Sequence, residues 1–141
     1  MFNKLLVLFV LIGQLGFGQN VPHPPSATPQ PADELLARAK TIYVVSHSFY
    51  VKKEQLEASL IHSKDLAAKG IQVVESERDA DLVLKVGRAP FQNNFPFTFT
   101  DRRSGIVVMG GTVNSFFGTV SGRIAGRLED KLKDVRRKSN P

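Results

Sequence analysis

Phenylalanine occupies positions 95, 97 and 99, and Pro96, Thr98 and Thr100 fill the places between. Side chains of a strand point to alternate faces, so a period of two sets three aromatic rings on one side and small polar groups on the other. That segment has one face in a core and one face towards solvent. Asp101-Arg102-Arg103-Ser104-Gly105 follows as a short turn, and Ile106 to Val113 is rich in β-branched residues, which predicts an antiparallel return strand. A hairpin with one apolar face needs a layer to cover it, and the rest of the chain must supply that layer.

The carboxyl-terminal segment is the first candidate. At 100° per residue Val120, Ile124, Ala125, Leu128, Leu132 and Val135 fall within one arc, and most charges fall outside it. Upstream, Pro31 followed by Ala32-Asp33-Glu34 and ending in Arg38 and Lys40 predicts a short helix with a first-turn proline and dipole-matched charges. Thr41 to Ser46 (TIYVVS) reads as a buried strand. Lys52 to Leu60 carries Leu56 and Leu60 on one helical face, and this helix is expected to run on through Leu66 and Ala67 to a left-handed cap at Gly70. Ile71 to Val74 and Ala80 to Val86 are two further short strands. The predicted architecture is α/β (α+β): a single mixed β-sheet of about five strands, with helices packed mainly on one face.

The order IYVVS, helix, GIQVV, RDADLVLKV, FTFTDRRSGIVVMGG and amphipathic helix resembles a group of small bacterial envelope domains. The group includes the amino-terminal domain of TolB, the curli-secretion protein CsgG and the lipoprotein activator LpoB. It is similar also to short exported bacterial proteins of no assigned activity that share the run from ADELLARAK to the final helix. The resemblance spans residues 33–136 and rests on a strand start (ADLVL) and a hairpin turn (D-x-x-x-G). It implies an envelope setting and this fold, and it brings no catalytic or ligand-binding residue. The chain lacks the cysteine that several of those proteins use for lipid attachment, and it lacks their additional domains.

An envelope setting agrees with the amino terminus. Lys4 precedes the apolar run Leu5 to Ile12, and small residues at Gly16 and Gly18 set a cleavage site ahead of Gln19. Residues 1–18 therefore read as a signal peptide, and the protein is expected to be exported, periplasmic or secreted. The apolar stretch is too short to span a bilayer, which takes about 20 residues, so no transmembrane segment is expected after cleavage. Residues 19–31 hold five of the eight prolines and read as an extended linker. Residues 32–141 form a single α/β domain with a basic carboxyl-terminal helix. With no cysteine, the exported domain relies on core packing without disulfides.

Candidate chemistry is sparse. Glu75, Glu77, Asp79 and Asp81 alternate as calcium-loop ligands do, but the sixth-position glycine and closing glutamate of such a loop are missing, and Arg78 competes. A solvated turn capped by Asp79 or Asp81 is the expectation. His47 stands between Ser46 and Ser48, and neighbouring strand residues point to opposite faces, so it is badly placed to activate either serine. His23 lies in the linker. Gly118, Gly122 and Gly126 form a G-x-x-x-G repeat flanked by Arg123 and Arg127, which suits no membrane span and reads as tolerated glycine. Neither a catalytic residue, nor a cofactor, nor a metal site is expected; a small metal-dependent or hydrolytic enzyme built on His47 or the acidic ladder is the alternative.

Charge supplies the remaining feature. Nineteen basic residues oppose 13 acidic ones, for a net +6. Arg123, Arg127, Lys131, Arg136, Arg137 and Lys138 make the final helix a candidate anion-binding surface. The expected role is a non-enzymatic binding or scaffolding module of the bacterial cell envelope, with an envelope protein or an anionic envelope polymer as partner and no specific nucleic acid. Binding to anionic surfaces through the helix is the further alternative.

Overall fold

The computed structural model describes residues 31–88, 92–115 and 119–139. The segments expected to be a signal peptide (1–18) and a linker (up to Gln30), with His23, and Gly118 lie outside the described residues.

Among the described residues ten elements follow one another: α1 (Ala32–Arg38), β1 (Thr41–Ser46), α2 (Lys53–Ile61), α3 (Lys64–Ala68), β2 (Gln72–Val73), a 3-10 turn (Glu77–Asp79), β3 (Leu82–Val86), β4 (Asn94–Asp101), β5 (Val107–Asn114) and α4 (Val120–Ser139). The strands form one mixed sheet in the order β2-β1-β3-β4-β5. β1 is parallel to both β2 and β3, whereas β3–β4 and β4–β5 are antiparallel. The fold is therefore the mixed five-stranded α/β arrangement that the sequence predicts.

The core lies between the helices and one face of the sheet. Ile42 and Val44 of β1, Leu82, Leu84 and Val86 of β3, and Phe95, Phe97 and Phe99 of β4 meet Leu36 of α1, Leu56 and Leu60 of α2, and the stripe Val120, Ile124, Ala125, Leu128, Leu132 and Val135 of α4. The phenylalanine alternation and the α4 stripe are buried as the period-two and period-3.6 patterns require. Phe97 and Phe99 meet edge to face with centroids 6.2 Å apart. The opposite sheet face carries Tyr43, Val45, Thr98 and Thr100, each half-buried, and exposed Lys85.

Three local features depart from the sequence reading. The helix expected from Lys52 to Ala67 is broken at His62-Ser63. Ser63 takes extended backbone and its hydroxyl accepts the Leu66 N–H at 3.1 Å, so it caps a new helix, α3. Pro31 stands before the first turn of α1 instead of within it, and its carbonyl accepts the Glu34 and Leu35 N–H groups. The β4–β5 register shifts between Phe99 (opposite Met109) and Thr100 (opposite Val107), leaving Val108 as an extra residue. This bulge turns Val108 into the core on the same side as its neighbour Met109. Gly70 and Gly105 have φ of 69° and 71°, the left-handed conformation that a helix stop and a hairpin turn need.

Candidate functional site

Contacts divide the six candidate cations of α4 between two flanks of the helix. On the flank towards β5 and α1, the Arg123 guanidinium donates to the carbonyl and side-chain oxygen of Asn114 at 2.8 and 2.6 Å. Arg127 reaches over Gly111 of β5. Lys131 pairs with Asp33 of α1 at 2.7 Å. Lys138 lies 2.8 Å from Asp134 and 3.9 Å from Asp33, and Arg137 pairs with Asp134 at 2.9 Å. The two cations of Asp134 hold its carboxyl below the ordinary aspartate value, and Asp134 in turn raises Lys138. Lys131, Arg137 and Lys138 thus each have a carboxylate partner.

Arg136 belongs to the other flank, roughly 140° round the helix from Lys131 at 100° per residue. There it lines a small cavity with Lys40, Lys69, Ile71 and Leu132. Lys40 follows α1, and its ammonium donates to the Lys69 carbonyl at 3.1 Å. Lys69 is the residue that ends α3. The Lys69 ammonium is buried and makes no hydrogen bond to any described residue. Burial, with the Arg136 guanidinium close by, holds it below the ordinary lysine value.

Nearby carboxylates are committed elsewhere. Asp65 pairs with Lys133 at 2.6 Å, an interaction that lowers the Asp65 carboxyl and raises Lys133. Glu129 accepts the Ser63 hydroxyl. The site is therefore a cluster of three cations in which Lys40 and Arg136 flank the Lys69 ammonium, which has no hydrogen-bond acceptor among the described residues and feels the Asp65 and Glu129 charges without bonding to them. Such a group is costly to bury alone, and an anion relieves the cost. Of the three, sequence reading picks out only Arg136. Lys69 beside the Gly70 stop looks like an ordinary helix-end cation, and its burial follows from contacts remote in sequence.

The other sequence candidates have structural occupations. Asp81 accepts the backbone N–H groups of Lys40 and Thr41 at 2.8 and 3.1 Å, joining the start of β3 to the start of β1. Ser76 caps the 3-10 turn by accepting the Arg78 N–H. Among the described residues no group of three or more histidines and carboxylates stands together as metal ligands do. The Ser46 hydroxyl donates to the Val51 carbonyl, away from the exposed His47. His62 places Nδ1 2.7 Å from the Ala58 carbonyl. Gly122 has a local reason: its N–H donates to the Thr119 hydroxyl at 3.2 Å, and a Cβ there would stand 2.9 Å from that oxygen. A Cβ at Gly126 meets nothing within 4 Å.

Two wider cavities flank the sheet ends. One, about 360 Å³, lies between Arg38, Asp81, Asp101 and Arg103. Asp101, at the buried end of β4, accepts the Ser104 N–H and hydroxyl, both at 2.7 Å, which ties the hairpin turn. The other, about 400 Å³, is lined by Tyr50, Gln55, Ser59, Thr119 and Ser121. Among the described residues no helix is long and apolar enough to cross a membrane.

No family model matches the chain, and no curated protein does. Among solved structures it is similar to a variant PelC dodecamer from Paraburkholderia phytofirmans, with 16% identity over 68% of this chain and 87% of that one, at a TM-score of 0.38. It is similar also to the uncharacterized lipoprotein B from Nitrosomonas europaea, with 8% identity over 71% and 79% and a TM-score of 0.32. A putative neuraminyllactose-binding hemagglutinin homolog from Helicobacter pylori aligns at 9% identity over 74% and 87%, with a TM-score of 0.26. At these scores the likenesses assign no role.

Proposed function

We propose that the protein is an exported, non-enzymatic binding module of the bacterial cell envelope that holds an anionic envelope component at the end of α4. The reading rests on one observation: Lys40, Lys69 and Arg136 converge where the nearby carboxylates already have other partners. The signal-like residues 1–18 and the envelope resemblance of residues 33–136 supply the setting.

Cations without a carboxylate partner contribute most to attraction of a polyanion, because those in pairs have their field cancelled close by. Retention of the protein on anionic vesicles or wall polymer at low salt tests the reading. The pair Lys40→Gln and Arg136→Gln is expected to lose most of the retention, and the pair Arg137→Gln and Lys138→Gln much less. Raising salt is expected to narrow the difference, since exposed charges are screened beyond about 8 Å at 0.15 M. A parent protein that passes such a surface unretained at low salt overturns the proposal.

A further inference from the structure

The two edges of the sheet differ. β2 offers two residues, whereas β5 runs for eight with neither a charge nor a proline among them. Charges, prolines and bulges are what keep an edge strand from pairing with another chain. Here the bulge at Val108 guards only the start of β5. Which groups face outward follows from the ladder. The Pro96 carbonyl accepts the Gly87 N–H, so Pro96 turns towards β3, and the Ser115 N–H donates back to the Asn93 carbonyl of the β4 side. Opposed residues of an antiparallel pair alternate between bonded and unbonded positions. Phe97 and Gly111 therefore bond each other, and Gly110 and Thr112 turn their N–H and C=O groups away from β4. Both residues are exposed. The next outward carbonyl, that of Asn114, is taken by Arg123 at 2.8 Å. The open edge is thus Gly110 to Thr112.

Charge selects the partner. No acidic residue occurs from Ile106 to Leu128. The exposed Arg127 places its guanidinium 3.5 Å from where a Gly111 Cβ would be, on the helix side of the sheet, and forms no ion pair with a described residue. In a strand added to this edge, the residue opposite Gly111 has its Cβ about 4.5–5.5 Å from that same point. A carboxylate there comes within reach of Arg127, and Gly111 has no side chain to stand between them. A second copy paired about Gly111 would instead bring its own Arg127 beside the first, and like charges so placed repel. We propose that the Gly110–Thr112 edge of β5 takes an extended acidic strand of a partner protein, held by the N–H and C=O groups of both residues and by a carboxylate on Arg127. The site shares no residue with the Lys40, Lys69 and Arg136 cluster.

The probe is a synthetic peptide of alternating Glu and Val with both ends capped, and the matching Lys and Val peptide is the control. Amide exchange followed by NMR is expected to slow at Gly110 and Thr112 with the Glu peptide and to stay unchanged with the Lys peptide. Thr112→Pro removes an N–H that the β4–β5 ladder does not use, and sheet edges tolerate proline, so the variant is expected to unfold near the parent's Tm. It should bind the Glu peptide about tenfold more weakly, or worse, as lost hydrogen bonds dictate. Arg127→Gln changes an exposed side chain and is expected to weaken that binding severalfold and to flatten its salt dependence. A Glu peptide that leaves both amides unchanged overturns the proposal, as does one that binds either variant as tightly as the parent. Slowing at Gly110 and Thr112 that needs no peptide and grows with protein concentration assigns the edge to a second copy, and it overturns the acidic partner.

Discussion

The ring of Phe97 lies over Gly111 across the β4–β5 pair, so close that a Cβ on the glycine would stand 3.3 Å from two ring carbons. The ring cannot withdraw, because it is 2% exposed and meets Phe99 edge to face. Gly111→Ala is therefore expected to destabilise the domain by about 1–3 kcal/mol, as overpacking of a filled core does. Ala in place of Gly110, where the nearest side-chain atom is 3.5 Å from an added Cβ, should cost less. Urea unfolding of the two variants measures the difference.

Truncation at the same ring has a larger effect. Phe97→Ala is expected to cost about 3–5 kcal/mol, the usual range for removing a buried phenyl group. Thr98→Ala, half-buried on the opposite sheet face, should cost a small fraction of that. Equal losses at the two positions would contradict the one-sided core.

Asp101 links stability to pH. Burial works against its charged form, but the Ser104 hydroxyl and N–H, with the Arg103 N–H and charge, outweigh it and hold the carboxyl below its ordinary value. A carboxyl lowered by folding stabilises fully above its unfolded pKa and loses that contribution as pH falls through the folded one. Its share is thus present at neutral pH and disappears from about pH 5 downwards. Asp101→Asn is expected to lower stability at pH 7 by about 1 kcal/mol, since the exposed Ser104 keeps an amide oxygen to donate to but loses a charged one. It should also flatten the acid limb of a stability–pH curve. An acid limb identical to the parent's would exclude this role.

Ser63 is expected to act as a cap and as a tie to α4 together. Ser63→Ala removes the acceptor of the Leu66 N–H and the donor to Glu129. A loss of about 1 kcal/mol or somewhat more is expected, where a cap alone costs about 1. Hydrogen exchange at Leu66 should quicken more than at Leu56 of α2.

Periodicity carried much of this structure. The alternating phenylalanines and the α4 stripe each impose a period strong enough to fix element type and buried face without tertiary information. Where the signal is uniform, the pattern falls silent. Ile106 to Met109 is apolar at every position, so nothing in it marks Val108 as the bulged residue. The helix break at Ser63 hides behind good helix formers on both sides. At the anion site, Arg136 belongs to a basic run and is conspicuous, whereas Lys69 looks like any helix-end lysine. Its want of a hydrogen-bond acceptor goes with Asp65 being held by Lys133 and Glu129 being held by Ser63, 66 positions away. Those are facts of tertiary packing that no local window contains.

The pairing of β1 with β3 also bears on how fast the chain assembles. The Thr41 hydroxyl accepts the Asp81 N–H at 2.8 Å across 40 positions, while β4 and β5 meet through one short turn. Closing a long loop costs more chain entropy than closing a tight hairpin, so the β4–β5 ribbon is expected to form early and the β1 seam late. Asp81→Ala should then mainly quicken unfolding, because its contacts are absent at the rate-limiting step. Gly105→Ala strains a turn that has φ of 71° and should mainly slow folding. Stopped-flow traces of the two variants would separate an early ribbon from a late seam.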